Sequence, residues 1–116
     1  MATLYRGQDF EFNARLDHKN KPLRINDEAT VRAAITDNNG NLLTGWTTYN
    51  KDQGDGSDWQ LGLIYESIPI AEVDLIASGV SSGQLRINIQ GSDEDRDGVV
   101  SSNTYDRSWD FGVTFK

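Results

Sequence analysis

The chain has 116 residues, 36% of them hydrophobic and 25% charged, with a formal net charge of −7. That length fits one domain, expected to span residues 1–116, and leaves no room for a second independent core. No Lys/Arg cluster is present to neutralise phosphates, which argues against nucleic acid and anionic membranes as partners, and the absence of cysteine removes disulfides, thiolate metal sites and cysteine nucleophiles together.

Taken in chain order, the hydrophobic pattern is mostly of period two, the signature of half-buried strands. Phe10, Phe12, Ala14 and Leu16 alternate with Asp9, Glu11, Asn13 and Arg15. A polar turn over 17–22 (DHKNKP) follows, then the apolar pair Leu23 and Ile25. Val31, Ala33 and Ile35 form the next alternating face, ended by Asp37-Asn38-Asn39-Gly40, a hairpin signal because Asn and Gly tolerate the positive φ of such turns. The returning strand is expected to carry Leu42, Leu43, Trp46 and Tyr49.

Residues 51–58 (KDQGDGSD) contain no apolar side chain and read as a loop. Trp59, Leu61 and Leu63 resume the period of two. Pro69 then opens the one stretch with helical spacing, through Ile70, Val73 and Ile76 or Ala77, since proline suits a first helical turn. It ends by Ser78-Gly79 and reads equally as an irregular connection. Leu85, Ile87 and Ile89 alternate between Gly83 and Gly91, an acidic turn covers 92–98, and Trp109, Phe111, Val113 and Phe115 make the last strand. No stretch approaches the roughly 18 apolar residues of a membrane span, and no apolar signal-peptide core opens the chain, because the first residues already alternate. The fold class expected is all-β: an immunoglobulin-like antiparallel β-sandwich of about seven strands with one short helical turn.

Few residue patterns here carry chemistry. Asp93, Asp95 and Asp97 alternate and precede Gly98, like the start of a calcium loop. A complete loop needs a bidentate Glu at its twelfth position, and that position holds Thr104, so an exposed acidic hairpin is the plainer reading and Ca2+ the alternative. Asp52, Asp55 and Asp58 form a second acidic patch, interleaved with Gly54 and Gly56. It reads as a solvated loop, and its acids would repel a phosphate.

The single histidine, His18, sits in the polar turn, with no nucleophile elbow or paired-histidine motif elsewhere, so no catalytic residue is assigned and the chain is expected not to be an enzyme. Trp59 and Trp109 fall in phase with apolar neighbours and read as core. Trp46, following a glycine near a strand end, is the candidate for an exposed sugar-stacking face. The segment from Met1 to Arg6, with Leu4 and Tyr5, is a candidate docking arm for strand addition.

Three stretches together resemble the immunoglobulin-like domain that opens phage baseplate upper proteins and recurs in small phage tail and head proteins. They are Arg6-Gly7-Gln8-Asp9-Phe10; Leu16-Asp17 through Lys21-Pro22-Leu23 to Ala29-Thr30-Val31; and Ile68-Pro69 with Gly83-Gln84-Leu85-Arg86-Ile87 and Asp95-Arg96-Asp97-Gly98. The chain departs from the family pattern after Pro22-Leu23, where it reads Arg24-Ile25-Asn26-Asp27 in place of Asp-Leu-Thr-Gly. The resemblance implies a non-enzymatic structural protein of the virion, in the tail, baseplate or head surface, that contacts other virion proteins and copies of itself. It implies no catalytic residues to carry over, and no cofactor is expected beyond the Ca2+ alternative. Two other readings stand beside it: a carbohydrate- or receptor-binding module using Trp46 and an acidic loop, with or without Ca2+, and an acidic inhibitor of a basic host defence protein.

Overall fold

A computed structural model describes residues 2–18, 20–25, 29–50, 57–94 and 100–116. Among the described residues, nine strands, one short helix and one 3-10 turn make it mostly β. A five-stranded sheet has the order β1-β9-β8-β5-β6, formed by β1 (Ala2–Leu4), β9 (Val100–Phe115), β8 (Ser82–Glu94), β5 (Thr30–Thr36) and β6 (Thr47–Tyr49). A second, two-stranded sheet pairs β2 (Phe10–Arg15) with β7 (Leu63–Ile68), and a small ribbon pairs β3 (Asp17–His18) with β4 (Lys21–Pro22). Neighbours are antiparallel except β1 and β9, which run parallel in the register Ala2↔Val113 to Leu4↔Phe115.

Alternation decides which face each strand buries. In β2, Phe10, Phe12 and Ala14 point inward while Glu11, Asn13 and Arg15 point to solvent. They meet Ile64 and Ile68 of β7, Val31, Ala33 and Ile35 of β5, and Leu85, Ile87 and Ile89 of β8 in one hydrophobic cluster. Burial of such side chains contributes roughly 1.5–3 kcal/mol each against exposure, so this cluster dominates the stability of the fold. Trp109 and Phe111, read from sequence as core, sit half-buried at its margin.

The turn over 37–40 forms as its residues demand. Gly40 takes φ +87° and donates its N–H to the Asp37 carbonyl at 3.1 Å, while Asp37 Oδ1 accepts from the Asn39 and Asn41 amides at 2.8 and 2.9 Å. The returning segment does not run as one strand. It touches β5 at Thr36↔Leu42, and Thr44 Oγ1 accepts the Ile35 amide at 3.0 Å before β6 resumes the pairing at Thr47. A side chain there replaces a backbone partner.

The expected strand through Trp59 and Leu61 is a correction. Trp59–Leu61 is a 3-10 turn closed by Gly62 at φ +70°. Residues three apart superpose in such a turn, so Trp59 and Gly62 go inward and Leu61 is turned out to solvent. The helical reading after Pro69 matches α1 (Ile70–Val73), with Pro69 as its N-cap and Val73 and Ile76 buried. Asp9 Oδ1 accepts the Ile70 amide at 2.6 Å, and the Arg6 guanidinium donates to the carbonyls of Ile76, Ala77 and Val80 after the helix.

Candidate functional site

Among the described residues, an open groove of about 880 Å³ lies between β1 and β2. Ala2 and Thr3 form one wall, residues 10–13 and Tyr65 the other, and Leu85, Asp110, Phe111 and Gly112 close the remainder. Its walls are thus strand edges, and its apolar lining comes from Phe10, Phe12, Leu85 and Phe111.

Backbone direction follows from the pairing. The Leu16 amide donates to the Gly62 carbonyl at 2.8 Å, continuing the β2–β7 register. Hydrogen-bonded and non-hydrogen-bonded pairs alternate along an antiparallel ladder. Residues 10, 12 and 14 therefore turn their N–H and C=O groups to β7, and Glu11, Asn13 and Arg15 turn theirs the opposite way. Among the described residues no strand takes up that outer edge. Likewise the Lys116 amide donates to the Leu4 carbonyl at 2.8 Å, so Leu4 faces β9 and Thr3 faces the groove.

The outer edge of β7 is treated differently. Asp58 and Leu63 exchange both backbone bonds at 2.9 Å. Ser57 Oγ accepts the Tyr65 amide at 2.7 Å and donates to the Tyr65 carbonyl at 2.9 Å, and the Tyr49 hydroxyl donates to the Ser67 carbonyl at 2.5 Å. Burial and the neighbouring Glu66 carboxylate push the Tyr49 hydroxyl pKa far up, so it remains a donor. Leu63 and Tyr65 thus have both outward backbone groups met, and Ser67 its carbonyl. Among the described residues, no backbone hydrogen bond meets the outer edge of β2.

A polar ladder lies on the solvent side of the five-stranded sheet. Arg32 Nε donates to Asn88 Oδ1 at 2.9 Å, Asn88 Nδ2 donates to Asp106 at 2.5 Å, and Gln90 donates to Asp106 at 3.2 Å. These donors hold the Asp106 carboxyl below its ordinary pKa. Beside them, Arg86 makes a two-pronged contact with Asp110 at 2.8 and 3.1 Å. The ladder is closed on itself, with each charge already met.

The positions singled out from sequence are not brought together. Trp46 is half-buried, and the Arg32 guanidinium covers a face of its ring at 4.2 Å. Arg32 thus takes one face of the ring that the sequence offered for sugar stacking. Leu4 is 0% exposed and belongs to the core, which corrects its assignment as a docking residue: its strand is already paired with β9. Tyr5, next in line, is 53% exposed. Asp93 belongs to β8, whereas Asp95, Asp97, Asp52 and Asp55 lie outside the described residues. Among the described residues, no group of three or more His, Asp or Glu side chains is placed to hold a metal ion. Sequence reading missed the groove, although the alternation of β2 already marked Glu11, Asn13 and Arg15 as its outward set.

No protein-family model, curated protein or solved structure matches the chain.

Proposed function

We propose that this chain is an immunoglobulin-like β-sandwich and a non-enzymatic structural protein of a bacteriophage particle, working in the tail, the baseplate or on the head surface through contacts between subunits. The strand order supports the sandwich: β5, β8 and β9 stand as C, F and G of a variable-type immunoglobulin domain, with β6 added as C′ and β2–β7 opposite as B and E. The phage setting rests on the family resemblance of the turn-and-strand motifs.

The observation that carries a contact function is the groove with its open β2 edge, set against a β7 edge at which Leu63, Tyr65 and Ser67 are met by Asp58, Ser57 and Tyr49. Proteins commonly protect sheet edges from unwanted pairing, so an edge left open beside an apolar groove is suited to a partner. Trp46, Asp110 and Asp106 are engaged internally, with Arg32, Arg86 and Asn88 respectively.

A mass-spectrometric inventory of purified particles tests this reading. The expected result is the chain in several copies per particle; particles that lack it overturn the proposal.

A further inference from the structure

We propose that the open edge of β2 pairs with β2 of a second copy, antiparallel and centred on Asn13, joining the two β2–β7 sheets into one continuous sheet across a twofold axis. The inference rests on the contact function proposed above and specifies its surface. In the immunoglobulin arrangement another strand stands beside the one that β2 represents. Among the described residues none does.

The sequence of β2 is complementary to itself in this register. Asn13 lies opposite Asn13 of the other copy, and Glu11 lies opposite Arg15. The residues that meet are those whose N–H and C=O groups point outward, so both backbone bonds form at each position. On the outer face the opposed charges attract, as directly facing pairs on a sheet do. On the inner face the same register sets Phe12 against Ala14, a large side chain against a small one. A shift by one residue would turn the outward groups away from their partners.

Arg15 is available for this exchange. Its partner within the chain is Asp17 at 3.2 Å, with side chains 61% and 51% exposed, and an exposed pair of that kind holds weakly. The net charge of −7 on each copy opposes association in general. Locally attractive Glu11–Arg15 pairs therefore select this face among the strand edges. An isologous contact of this kind closes after two copies, so it yields a dimer without propagating into a fibre.

Charge reversal tests the register. Sedimentation velocity over a dilution series is expected to show a monomer–dimer equilibrium for the unaltered chain. Glu11→Arg and Arg15→Glu, each placing like charges across the axis twice, are expected to raise the dissociation constant about tenfold. The double variant is expected to restore it to within a few-fold, and an equimolar mixture of the two single variants is expected to form a heterodimer. Asn13→Pro removes an outward N–H and is expected to leave a monomer. Circular dichroism confirms the fold of each, all three positions being solvent-facing.

A chain that stays monomeric at millimolar concentration, or a double variant and a mixture that fail to recover association, overturns the dimer. So does an edge occupied by a different protein, seen as Asn13→Pro abolishing a heterologous contact of a monomeric wild type. Monomeric behaviour of a chain found in particles refutes the pairing and leaves the structural role standing. A dimer absent from particles does the reverse.

Discussion

Gly83 and Asp37 both lie just beyond the Thr36↔Gln84 end of the β5–β8 pairing, and each has a consequence that a single substitution exposes. A Cβ added at Gly83 would stand 2.1 Å from the Thr36 carbonyl oxygen and 2.8 Å from the Phe115 ring. Backbone cannot yield as a flexible side chain does, so Gly83→Ala must push β8 away from β5. The expected cost is about 2–3 kcal/mol, read as a lower denaturant midpoint at unchanged slope. Asp37 works through charge. Its carboxylate accepts from the Asn41 amide foremost, and also from the Asn41 side chain and the Asn39 amide, which holds its pKa below the ordinary 3.8. A carboxyl whose folded pKa is depressed contributes stability that is present above the unfolded value and lost as pH falls through the folded one. An NMR titration is therefore expected to place the Asp37 midpoint below the ordinary carboxylate range, and Asp37→Ala to flatten the loss of thermal stability on acidification below about pH 4. The turn was legible in the sequence because Asp-Asn-Asn-Gly determines it locally. The tightness at Gly83 was not, since it arises from a strand more than forty residues away.

Among the strands, what distinguishes β2 from β7 is which backbone groups find partners. Native hydrogen exchange is expected to resolve this in dilute solution. The amides of Phe12 and Ala14 face β7 and should exchange slowly, whereas those of Glu11 and Asn13 face the groove and should exchange fast. The Tyr65 amide, held by Ser57, should resemble the slow class. Tyr49→Phe removes the hydroxyl that closes the edge at Ser67 and is expected to cost about 1 kcal/mol in chemical denaturation, as for one buried hydrogen bond. Strand existence was legible here, and so was its inward face. The 3-10 turn at Trp59–Leu61 was not, because large apolar residues two apart suggest a strand whatever the backbone does, and only Gly62 hinted otherwise. Trp46 escaped for a related reason: its cover, Arg32, comes from another strand, and no local pattern pairs the two. Removing that contact by Trp46→Ala is expected to destabilise the fold by about 0.5–1 kcal/mol from the cation–π term alone, measurable by thermal denaturation.

Across the molecule, the parallel pairing of β1 with β9 ties the start of the described chain to its end. Leu4 packs into the core, and Arg6 reaches the carbonyls that follow α1. Leu4→Ala is expected to cost about 2–5 kcal/mol, the range for truncating a fully buried leucine, with cooperative unfolding retained if β1 belongs to the same folding unit. A three-residue strand carries too little pattern to reveal its partner or its direction, which is why the sequence suggested a detached arm. The longer alternating strands left less freedom, and their all-β character followed. The groove depends on which edges remain once every pairing has formed, so it emerges only from the whole arrangement.

That terminal pairing also determines how the molecule bears mechanical load. Because β1 and β9 run in the same direction, tension applied at Ala2 and Lys116 pulls the two strands past each other lengthwise. The rungs between them, including Arg6 to Lys116 and Lys116 to Leu4, are then strained in concert. A pull across the open end of the antiparallel β8–β9 pair would instead part its rungs one after another. The first direction should resist far more force than the second in single-molecule extension, and the lack of native cysteine lets thiol handles be placed at will.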